Sequence, residues 1–349
     1  MVACKSLLAS LVLAAVSVSA SPALTLTVSA PSDVSGVENL KVTARITNVG
    51  DETIKLLEDP RSLASKFPVN KFKVANARGV RPAFSGAKVK YSPEVAARMG
   101  DFTVLAPGAS LEVVHDLSQA YNFTNAGSGS FDFEADSQFY IVNDDESIGV
   151  VYANEANSRS SFSSRVSGNL VVARDEPRLA KRATFVGCSA SRQSLINTAA
   201  ASAKTYASES SSYLNGLTAI KPRYQTWFGA WDTGRLSTVR SHFSLINGND
   251  FNSYTWDCTC TSSAYAYVYP STFGRVYFCN AFWNAPNTGT DSKAGTIIHE
   301  ASHFTRNGGT DDLGYGHTNA KNLALNQPAR AVMNADNHEY FAENTPAQS

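Results

Sequence analysis

Two histidines and a glutamate lie within the five-residue segment HEASH at 299–303. Positions i and i+4 of an α-helix share a face, so His299 and His303 could present two imidazoles to one metal ion. Glu300 could reach a water molecule bound to that ion. Apolar neighbours indicate a buried helix, and the glycines at 308–309 predict its end. The pattern predicts a metal-dependent hydrolytic site, against the alternative of two histidines that happen to be one turn apart.

Catalytic zinc usually takes three protein ligands and keeps a fourth position for water, so the two histidines need a partner. The metzincin motif HExxHxxGxxH is excluded, because the chain has Arg306 and Gly309 where that motif requires Gly and His. A distant glutamate ligand is possible. The nearer candidates are Asp311 and Asp312, because the two glycines let the chain turn back towards the metal. On chemistry alone these two carboxylates compete.

The segment GTDDLGYG at 309–316 fits the pattern GTxDxxYG. An HExxH pentad followed closely by this pattern resembles the deuterolysin or aspzincin family, in which the Asp of the second motif is the third zinc ligand. The resemblance selects Asp312 and implies one Zn2+ per chain. It also implies that the Tyr315 phenol donates a hydrogen bond to the oxyanion that forms when water attacks a peptide carbonyl. Without the motif, Tyr315 would be interpreted as a packing residue.

Further segments extend the resemblance over essentially all of 184–349, towards the fungal peptidyl-Lys metalloendopeptidase branch of the family. They are TWFGAW at 226–231, DCTCT at 257–261, AYVYP at 266–270, HFTRNGGT at 303–310 and VMNADNHEYFAEN at 332–344. The resemblance implies hydrolysis on the amino side of lysine, with lysine-containing proteins and peptides as substrates. It also implies that Glu300 acts as general base on a zinc-activated water.

Asp336 and Glu339 lie three positions apart, so a helix would place both on one face. Alone, this pair would be a solvated acidic surface. The family resemblance implies instead that both carboxylates bind the substrate lysine, whose compact ammonium suits two flexible acceptors. The remaining histidines of this region, His242, His317 and His338, are expected on the surface.

Residues 1–20 have the pattern of a secretory signal peptide. A single early charge, Lys5, precedes an apolar run, and small residues stand at 18–20. The run is too short for a lasting membrane span. We therefore expect a secreted, extracellular protein. The formal net charge is zero, which removes any global electrostatic argument for a nucleic-acid or membrane partner.

Residues 21–150 show the alternating and β-branched character of short strands, separated by turn-forming residues. This predicts an all-β sandwich of immunoglobulin-like type, with a helical turn near 93–100. The strand-like segments are LTLTV, LKVTARITNV, FKVANARGV, AKVKY, LEVVHDL, FDFEA and FYIVND. Asn122 begins a glycosylation sequon, used or unused.

Residues 154–182 form a polar linker that ends in Lys181-Arg182. Between β-type and protease-like sequence, this pair predicts processing by a dibasic-cleaving protease, although an ordinary solvated pair is the alternative. We therefore expect a propeptide at 21–182 and a mature domain at 183–349 that is a monomer. Whether the propeptide blocks the active cleft or assists folding is left open.

The mature domain is predicted to be a mainly helical α+β zinc metalloprotease of zincin type with a small sheet. Helices are expected at 189–214, 234–246, 318–325 and 331–343, besides the HExxH helix. A β-hairpin is expected at 265–278.

Cys4 leaves with the signal peptide, and four cysteines remain in the mature domain. Cys258 and Cys260 are too close to pair with each other, so two connectivities survive. The predicted hairpin would join Cys260 to Cys279 and leave Cys188 for Cys258, and the family resemblance implies the same pairing. A structural zinc site is the rival interpretation, but the spacing fits no common zinc knuckle.

Two other functions stay open at this point. Within enzymes, the alternative is a deuterolysin-type metalloendopeptidase of broader specificity. Outside enzymes, the β-rich part could be a secreted binding or inhibitory module with an inert metal domain.

Overall fold

The computed structural model describes residues 23–154, 157–173 and 182–349. The expected signal peptide at 1–20 and Lys181 of the dibasic pair lie outside the described residues, whereas Arg182 is described and exposed. The described helices include none that combines the length and apolar character required to cross a membrane.

The N-terminal part of the described chain consists of strands in which buried and exposed residues alternate. In Lys41–Asn48, every second residue is buried, as a period of two predicts. A short helix, Pro93–Arg98 (α1), begins after Ser92, whose hydroxyl accepts from Val95 N. The strands are Leu24–Ser29 (β1), Asp33–Ser35 (β2), Lys41–Asn48 (β3), Ile54–Leu57 (β4), Phe72–Asn76 (β5), Ala83–Phe84 (β6), Lys88–Lys90 (β7), Phe102–Leu105 (β8), Ser110–Asp116 (β9), Tyr121–Asn122 (β10), Gly129–Ala135 (β11), Gln138–Val142 (β12), Ile148–Tyr152 (β13) and Ser161–Ser167 (β14).

Sheets of order β1-β3-β9, β10-β6, β2-β14-β11-β5 and β13-β12-β4-β8 hold all of these strands except β7. Aromatic side chains fill the core: the rings of Phe133 and Phe162 stack with centroids 4.6 Å apart, and Phe123 meets Phe131 edge-on at 4.9 Å. The β-rich character agrees with the sequence pattern, whereas the immunoglobulin-like type stays a prediction. The linker expected at 154–182 is wrong for its middle part, because β14 pairs there with β11 and β2. Asn122 is half-buried and accepts from Thr124 N at 2.9 Å, and its glycosylation also stays a prediction.

The C-terminal part is mainly helical and encloses a second core. Its helices α2, α4, α6 and α9 contribute fully buried apolar residues to one cluster. The predicted hairpin is present, since β17 and β18 pair antiparallel. The elements are Thr184–Val186 (β15), Ala190–Gly216 (α2), Pro222–Phe228 (α3), Thr233–Asn247 (α4), Thr255–Asp257 (β16), Ala266–Val268 (β17), Arg275–Phe278 (β18), Asn280–Asn284 (α5), Lys293–His303 (α6), Gly316–Asn326 (α7), Pro328–Ala331 (α8) and Ala335–Glu343 (α9).

Two helix boundaries differ from the sequence prediction. α6 ends at His303, well before the glycine pair, because Phe304 has extended backbone angles. The helix expected at 331–343 is divided into α8 and α9. Between them, the Asn334 side chain accepts from Leu313 N at 2.9 Å and Gly314 N at 3.2 Å, which ties this break to the loop after α6.

Disulfides join Cys188 to Cys258 and Cys260 to Cys279, the pairing that the family resemblance implies. The first joins the segment before α2 to the end of β16. The second joins the loop before the hairpin to the residue after β18. Both lie beside the small sheet that carries β17.

Strand β7 crosses from the N-terminal part into the sheet of the C-terminal part. That sheet has the order β15-β16-β18-β17-β7, with β7 antiparallel to β17. The pairing places Lys90 opposite Ala266 and Val89 opposite Tyr267. The sequence pattern predicts this strand, but not that its partner would lie more than a hundred residues away.

Candidate active site

The expected metal ligands converge where α6 ends and the next loop turns back. α6 places His299 and His303 one turn apart on a buried face, and the loop supplies Asp312. The Nε2 atoms of both imidazoles lie 3.2 Å from Asp312 Oδ1. One ligand atom from each residue lies within 4.8 Å of the others, a spacing that suits a single ion. The competing carboxylate, Asp311, contacts the ammonium of Lys88 instead.

Neighbouring groups orient both imidazoles. His303 Nδ1 donates to Thr310 O at 2.9 Å, so its Nε2 lone pair is directed towards Asp312. His299 Nδ1 lies 2.9 Å from Asp336 Oδ1, and carboxylates often stand behind metal-binding histidines in this way. Burial favours protonation of Asp312, but the adjacent His303 and His299 hold the pKa of its carboxyl well below its usual range. Two nitrogen donors and one carboxylate are a ligand set that fits Zn2+.

A second group of possible ligands consists of His299, Asp336 and Glu339. This group has only one nitrogen donor, and the ammonium of Lys90 already contacts Glu339. The first group uses both histidines of the helix and has Glu300 beside it. The first group is therefore the better candidate for a zinc site.

Glu300 is fully buried beside the first group. Its Oε1 accepts from Lys90 N at 3.3 Å, and its Oε2 has no hydrogen-bond partner. Burial raises the pKa of this carboxyl to about 8, against the opposing charge of His299. The position of Glu300 allows it to exchange protons with a group bound between the metal ligands and the backbone of Lys90.

The Tyr315 phenol donates to Val89 O. Its buried ring packs under the guanidinium of Arg61, whose Cζ is 4.3 Å from the ring centre. Burial and the charge of Asp312 raise the pKa of Tyr315 well above its usual value, so the phenol remains a donor. Tyr315 thus reaches a carbonyl oxygen beside the metal ligands, the geometry that an oxyanion donor needs.

The Lys90 side chain fills a pocket between α9 and the residues before α6. Its Nζ lies 2.7 Å from Glu339 Oε2, 3.0 Å from Asp291 Oδ1 and 4.8 Å from the centre of the Tyr265 ring. Burial disfavours the charged amine, but Glu339 and Asp291 outweigh it and raise the pKa of Lys90 well above its usual value. The pocket therefore holds a lysine side chain in its charged form.

A close approach of α6 and α9 builds this pocket. A Cβ on Gly295 would lie 2.1 Å from Glu343 Oε1 and 3.0 Å from Glu339 Cγ, so only glycine lets α9 pack so near. Glu343 Oε1 accepts from both Ser292 N and Ser292 Oγ at 2.8 Å. These hydrogen bonds fix the turn that carries Asp291.

Asp336, which was expected to bind the substrate lysine, has its described contacts with other groups. Its Oδ1 faces His299 Nδ1, and its Oδ2 accepts from Gly316 N at 2.6 Å. Its charge raises the pKa of Lys90, but no described contact joins the two side chains. Asp336 lies one turn nearer the start of α9 than Glu339. Glu339 Oε2 also lies 3.3 Å from His299 Nδ1, so Glu339 contacts both this histidine and the ammonium of Lys90.

Asp291 is the pocket residue that the sequence reasoning missed. It precedes Ser292, the N-cap of α6, where an acidic residue would ordinarily be interpreted as part of the helix start. Tyr340 OH donates to Asp291 Oδ1 at 2.9 Å, which orients the carboxylate towards the pocket. The sequence around Asp291 carries no pattern that would have indicated this role, and its positive φ of 51° is seen only in the structure.

The expected surface position is wrong for two histidines. His242 and His338 are buried, with His242 Nδ1 3.0 Å from His338 Nε2. Burial lowers the pKa of both, to about 3 for His338. His317 is half-buried and packs edge-on against Tyr340, with ring centroids 4.1 Å apart.

Comparisons with known proteins identify relatives of this chain among metalloendopeptidases. The aspzincin family model, described as "Lysine-specific metallo-endopeptidase", matches residues 213–343. The chain is 52% identical over 348 residues to a peptidyl-Lys metalloendopeptidase of Grifola frondosa, with 99% of each chain covered. It is 49% identical over 345 residues to a peptidyl-Lys metalloendopeptidase of Armillaria mellea, with 97% of each covered. A solved zinc peptidase from Grifola frondosa is 60% identical, covers 46% of this chain and 100% of its own, and gives a TM-score of 0.46.

Proposed function

Because this chain belongs to the aspzincin family of metalloendopeptidases, we propose that it hydrolyses peptide bonds on the amino side of lysine, using Zn2+ held by His299, His303 and Asp312. One observation carries the specificity: the ammonium of Lys90 lies between the buried carboxylate of Glu339 and the partly exposed carboxylate of Asp291, while the carbonyl before Lys90 contacts Tyr315. The peptide segment around Lys90 thus occupies the position of a bound substrate.

The register of this segment supports cleavage before lysine. The carbonyl oxygen on Tyr315 belongs to Val89, and the amide nitrogen beside Glu300 belongs to Lys90. These two atoms belong to one peptide group, the one that joins Val89 to Lys90. In a substrate, the bond presented at the same place would precede the lysine whose side chain fills the pocket.

The protein groups around that bond have distinct roles. Bound Zn2+ would supply the Lewis acidity that makes a water molecule nucleophilic at neutral pH. Glu300 accepts a proton from the attacking water and delivers a proton to the leaving amine, whose position is given by Lys90 N. Tyr315 donates to the carbonyl oxygen as negative charge develops on it. The protein residues therefore position the bond, move the proton and stabilise the oxyanion.

The pocket favours lysine over arginine for a geometric reason. Glu339 and Asp291 approach the ammonium from separate elements, α9 and the turn before α6, at 2.7 and 3.0 Å. Three donors on a small ammonium can satisfy two separate acceptors, whereas a guanidinium needs a matching planar arrangement and more room.

Mapping the fragments of a denatured protein digested by the zinc-loaded mature domain tests the proposal. New N-termini should be lysine, and a matched peptide pair that differs only in Lys or Arg should be cut only in the Lys member. The Glu300→Gln variant should keep its zinc and lose about 10²–10⁴-fold in turnover. N-termini of many residue types would favour the broader deuterolysin specificity, and zinc-independent or absent cleavage would contradict the enzyme assignment.

The proposal also includes secretion and proteolytic maturation of the precursor. The signal peptide at 1–20 would direct secretion, and cutting after Arg182 by a dibasic-cleaving protease would produce a monomeric mature enzyme that begins at Ala183. Exposure of Arg182 supports access of that protease. N-terminal sequencing of the extracellular protein tests this part, which would fail if the mature chain began elsewhere.

A further inference from the structure

β7 belongs to no sheet of its own domain among the described strands and completes the sheet of the catalytic domain. Tyr265 N donates to Lys90 O at 2.9 Å, which extends the ladder between β7 and β17. A sheet edge with unpaired backbone groups is a ready site for an added strand. In this chain, the added strand comes from the N-terminal domain.

Every residue of β7 contacts a group of the cleft. The ammonium of Lys88 pairs with Asp311. Val89 N donates to Asp312 Oδ2 at 2.9 Å, so the backbone of β7 lies directly on a metal-ligating residue. The side chain of Lys90 fills the lysine pocket. A substrate cannot enter this groove while β7 is in place.

The surrounding surfaces of both domains hold β7 there. Phe67 meets Tyr267 edge-on with ring centroids 5.4 Å apart, and Tyr91 meets Tyr315 at 6.3 Å. Buried apolar residues from the two domains share one cluster around these rings. Ser263 donates to Asp101 across the same boundary. The strand is therefore presented by a folded surface and does not depend on three residues alone.

We propose that the N-terminal domain is an internal ligand of the substrate cleft, which keeps the precursor latent by placing Lys90 in the lysine pocket. This inference rests on the proposed function, because the occupied groove is the proposed substrate groove. Lys90 is the principal anchor, since its ammonium is the cation that neutralises the fully buried Glu339 carboxylate and also pairs with Asp291. Cutting the linker then does not open the cleft by itself. The freed domain has to dissociate or be digested first.

Dissociation of the two domains after linker cleavage tests this directly. The full precursor is prepared as Glu300→Gln to prevent self-digestion, cut after Arg182 with a dibasic-specific protease, and diluted stepwise before size-exclusion chromatography. After cutting, the two domains of the protein that retains Lys90 should stay associated on dilution. In the Lys90→Gln variant, the two domains should already separate at a protein concentration at least tenfold higher. Lys73→Gln is the matched control, because Lys73 pairs with Glu134 on the exposed face of β5.

Activity of the uncut chain provides a second, independent readout. A precursor with intact Glu300 should hardly cleave a short lysine peptide, and Lys90→Gln should increase the rate at least tenfold without linker cleavage. Equal far-UV spectra and unfolding midpoints would show that both variants fold alike.

The proposal that the N-terminal domain is an internal ligand of the cleft would be overturned by equal dissociation of Lys90→Gln and Lys73→Gln. It would also be overturned by an uncut precursor as active as the mature enzyme. Cleavage of lysine peptides by the mature domain would in that case leave the proposed function intact. If the mature domain itself cut no lysine peptide, the proposed function would fail instead.

Discussion

Lys71 and Lys90 are both almost wholly buried, at 3% and 2% exposure, but in regions with opposite electrostatics. Lys71 lies inside the N-terminal domain, where its ammonium donates to the carbonyl of Ser65. Burial lowers its pKa to about 7, and the more distant charge of Asp59 does not compensate. Lys90 lies in the catalytic cleft against two carboxylates, and its pKa is raised well above its usual value despite equal burial.

The difference shows that burial alone does not decide whether a lysine stays charged. A buried cation is costly unless anions are placed within contact distance. In the cleft, the anions belong to the catalytic domain and the cation to the N-terminal domain. Glu339 and Asp291 of the catalytic domain therefore lie where they can bind a lysine ammonium, and this is the physical basis of the proposed specificity.

The largest expected effect is the pH dependence of folding stability that arises from Lys71. Its folded-state pKa of about 7 lies below the unfolded value of 10.5, so the unfolded chain binds more protons between these pH values. Lys71 therefore contributes up to about 5 kcal/mol of stability that is gained as pH rises through this window. Glu343, whose pKa burial raises to about 9, contributes in the opposite direction up to that pH. The difference in stability between the Glu300→Gln precursor and its Lys71→Met variant, measured by denaturant unfolding at each pH, should therefore grow in favour of the Lys71 protein as pH rises.

Two observations help to assign this pH dependence of stability to Lys71. His115, whose pKa burial and the Lys71 charge lower to about 3, changes protonation below the window. Lys73→Met removes an exposed lysine and should leave the pH dependence unchanged. A stability difference between the Lys71 protein and its Lys71→Met variant that stays constant from pH 7 to 10 would contradict the contrast between the two lysines.

Removing a pocket carboxylate should leave a lysine ammonium in the cleft with fewer anionic partners, as Lys71 is in the N-terminal domain. In the mature enzyme, Glu339→Gln should lower kcat/KM for a lysine peptide by about 100-fold, because a buried partner of the ammonium is lost. Glu209→Gln, on the exposed face of α2, is the control. An unchanged kcat/KM for Glu339→Gln would mean that lysine is bound elsewhere.

Asp336→Asn separates the metal site from the lysine pocket. Because Asp336 stands behind His299, its loss should weaken zinc affinity by about 10–100-fold. At saturating zinc, the preference for lysine over other residues should persist. Competition with a chelator measures the first quantity and peptide mapping the second. Loss of the lysine preference with normal zinc affinity would show that Asp336 binds the substrate lysine.

Asp291→Asn should have the smallest effect of the four. Its carboxylate is 38% exposed in the ion pair with Lys90, against 0% for Glu339, so water screens it more strongly. We expect kcat/KM for a lysine peptide to fall about tenfold, mainly through KM. A loss as large as that of Glu339→Gln would mean that both carboxylates contribute equally.

Sequence patterns predict those parts of the molecule that depend on local periodicity. The i, i+4 spacing of His299 and His303 is enough to predict α6, and alternation is enough to predict β7 as a strand. The partner of β7 could not be predicted, because a strand's pattern shows which face is buried and not which sheet edge it joins.

The division of roles among the acidic residues needed the tertiary structure. Helical spacing places Asp336 and Glu339 on one face of α9, where both approach His299 Nδ1, but only Glu339 of the two contacts the ammonium of Lys90 among the described contacts. Asp291 precedes a helix cap and has no pattern of its own. Its role follows from the packing of α6 against α9 at Gly295.

Titration of the lysine side chains in the metal-free precursor is the most direct test that the cleft is built for a lysine cation. Lysine-selective NMR, with Lys71→Met and Lys90→Gln used for assignment, would follow both ammonium groups in one sample. We predict that Lys71 loses its proton near pH 7 while Lys90 remains charged above the ordinary lysine value of 10.5. A Lys90 signal that titrates at or below that value would contradict the account.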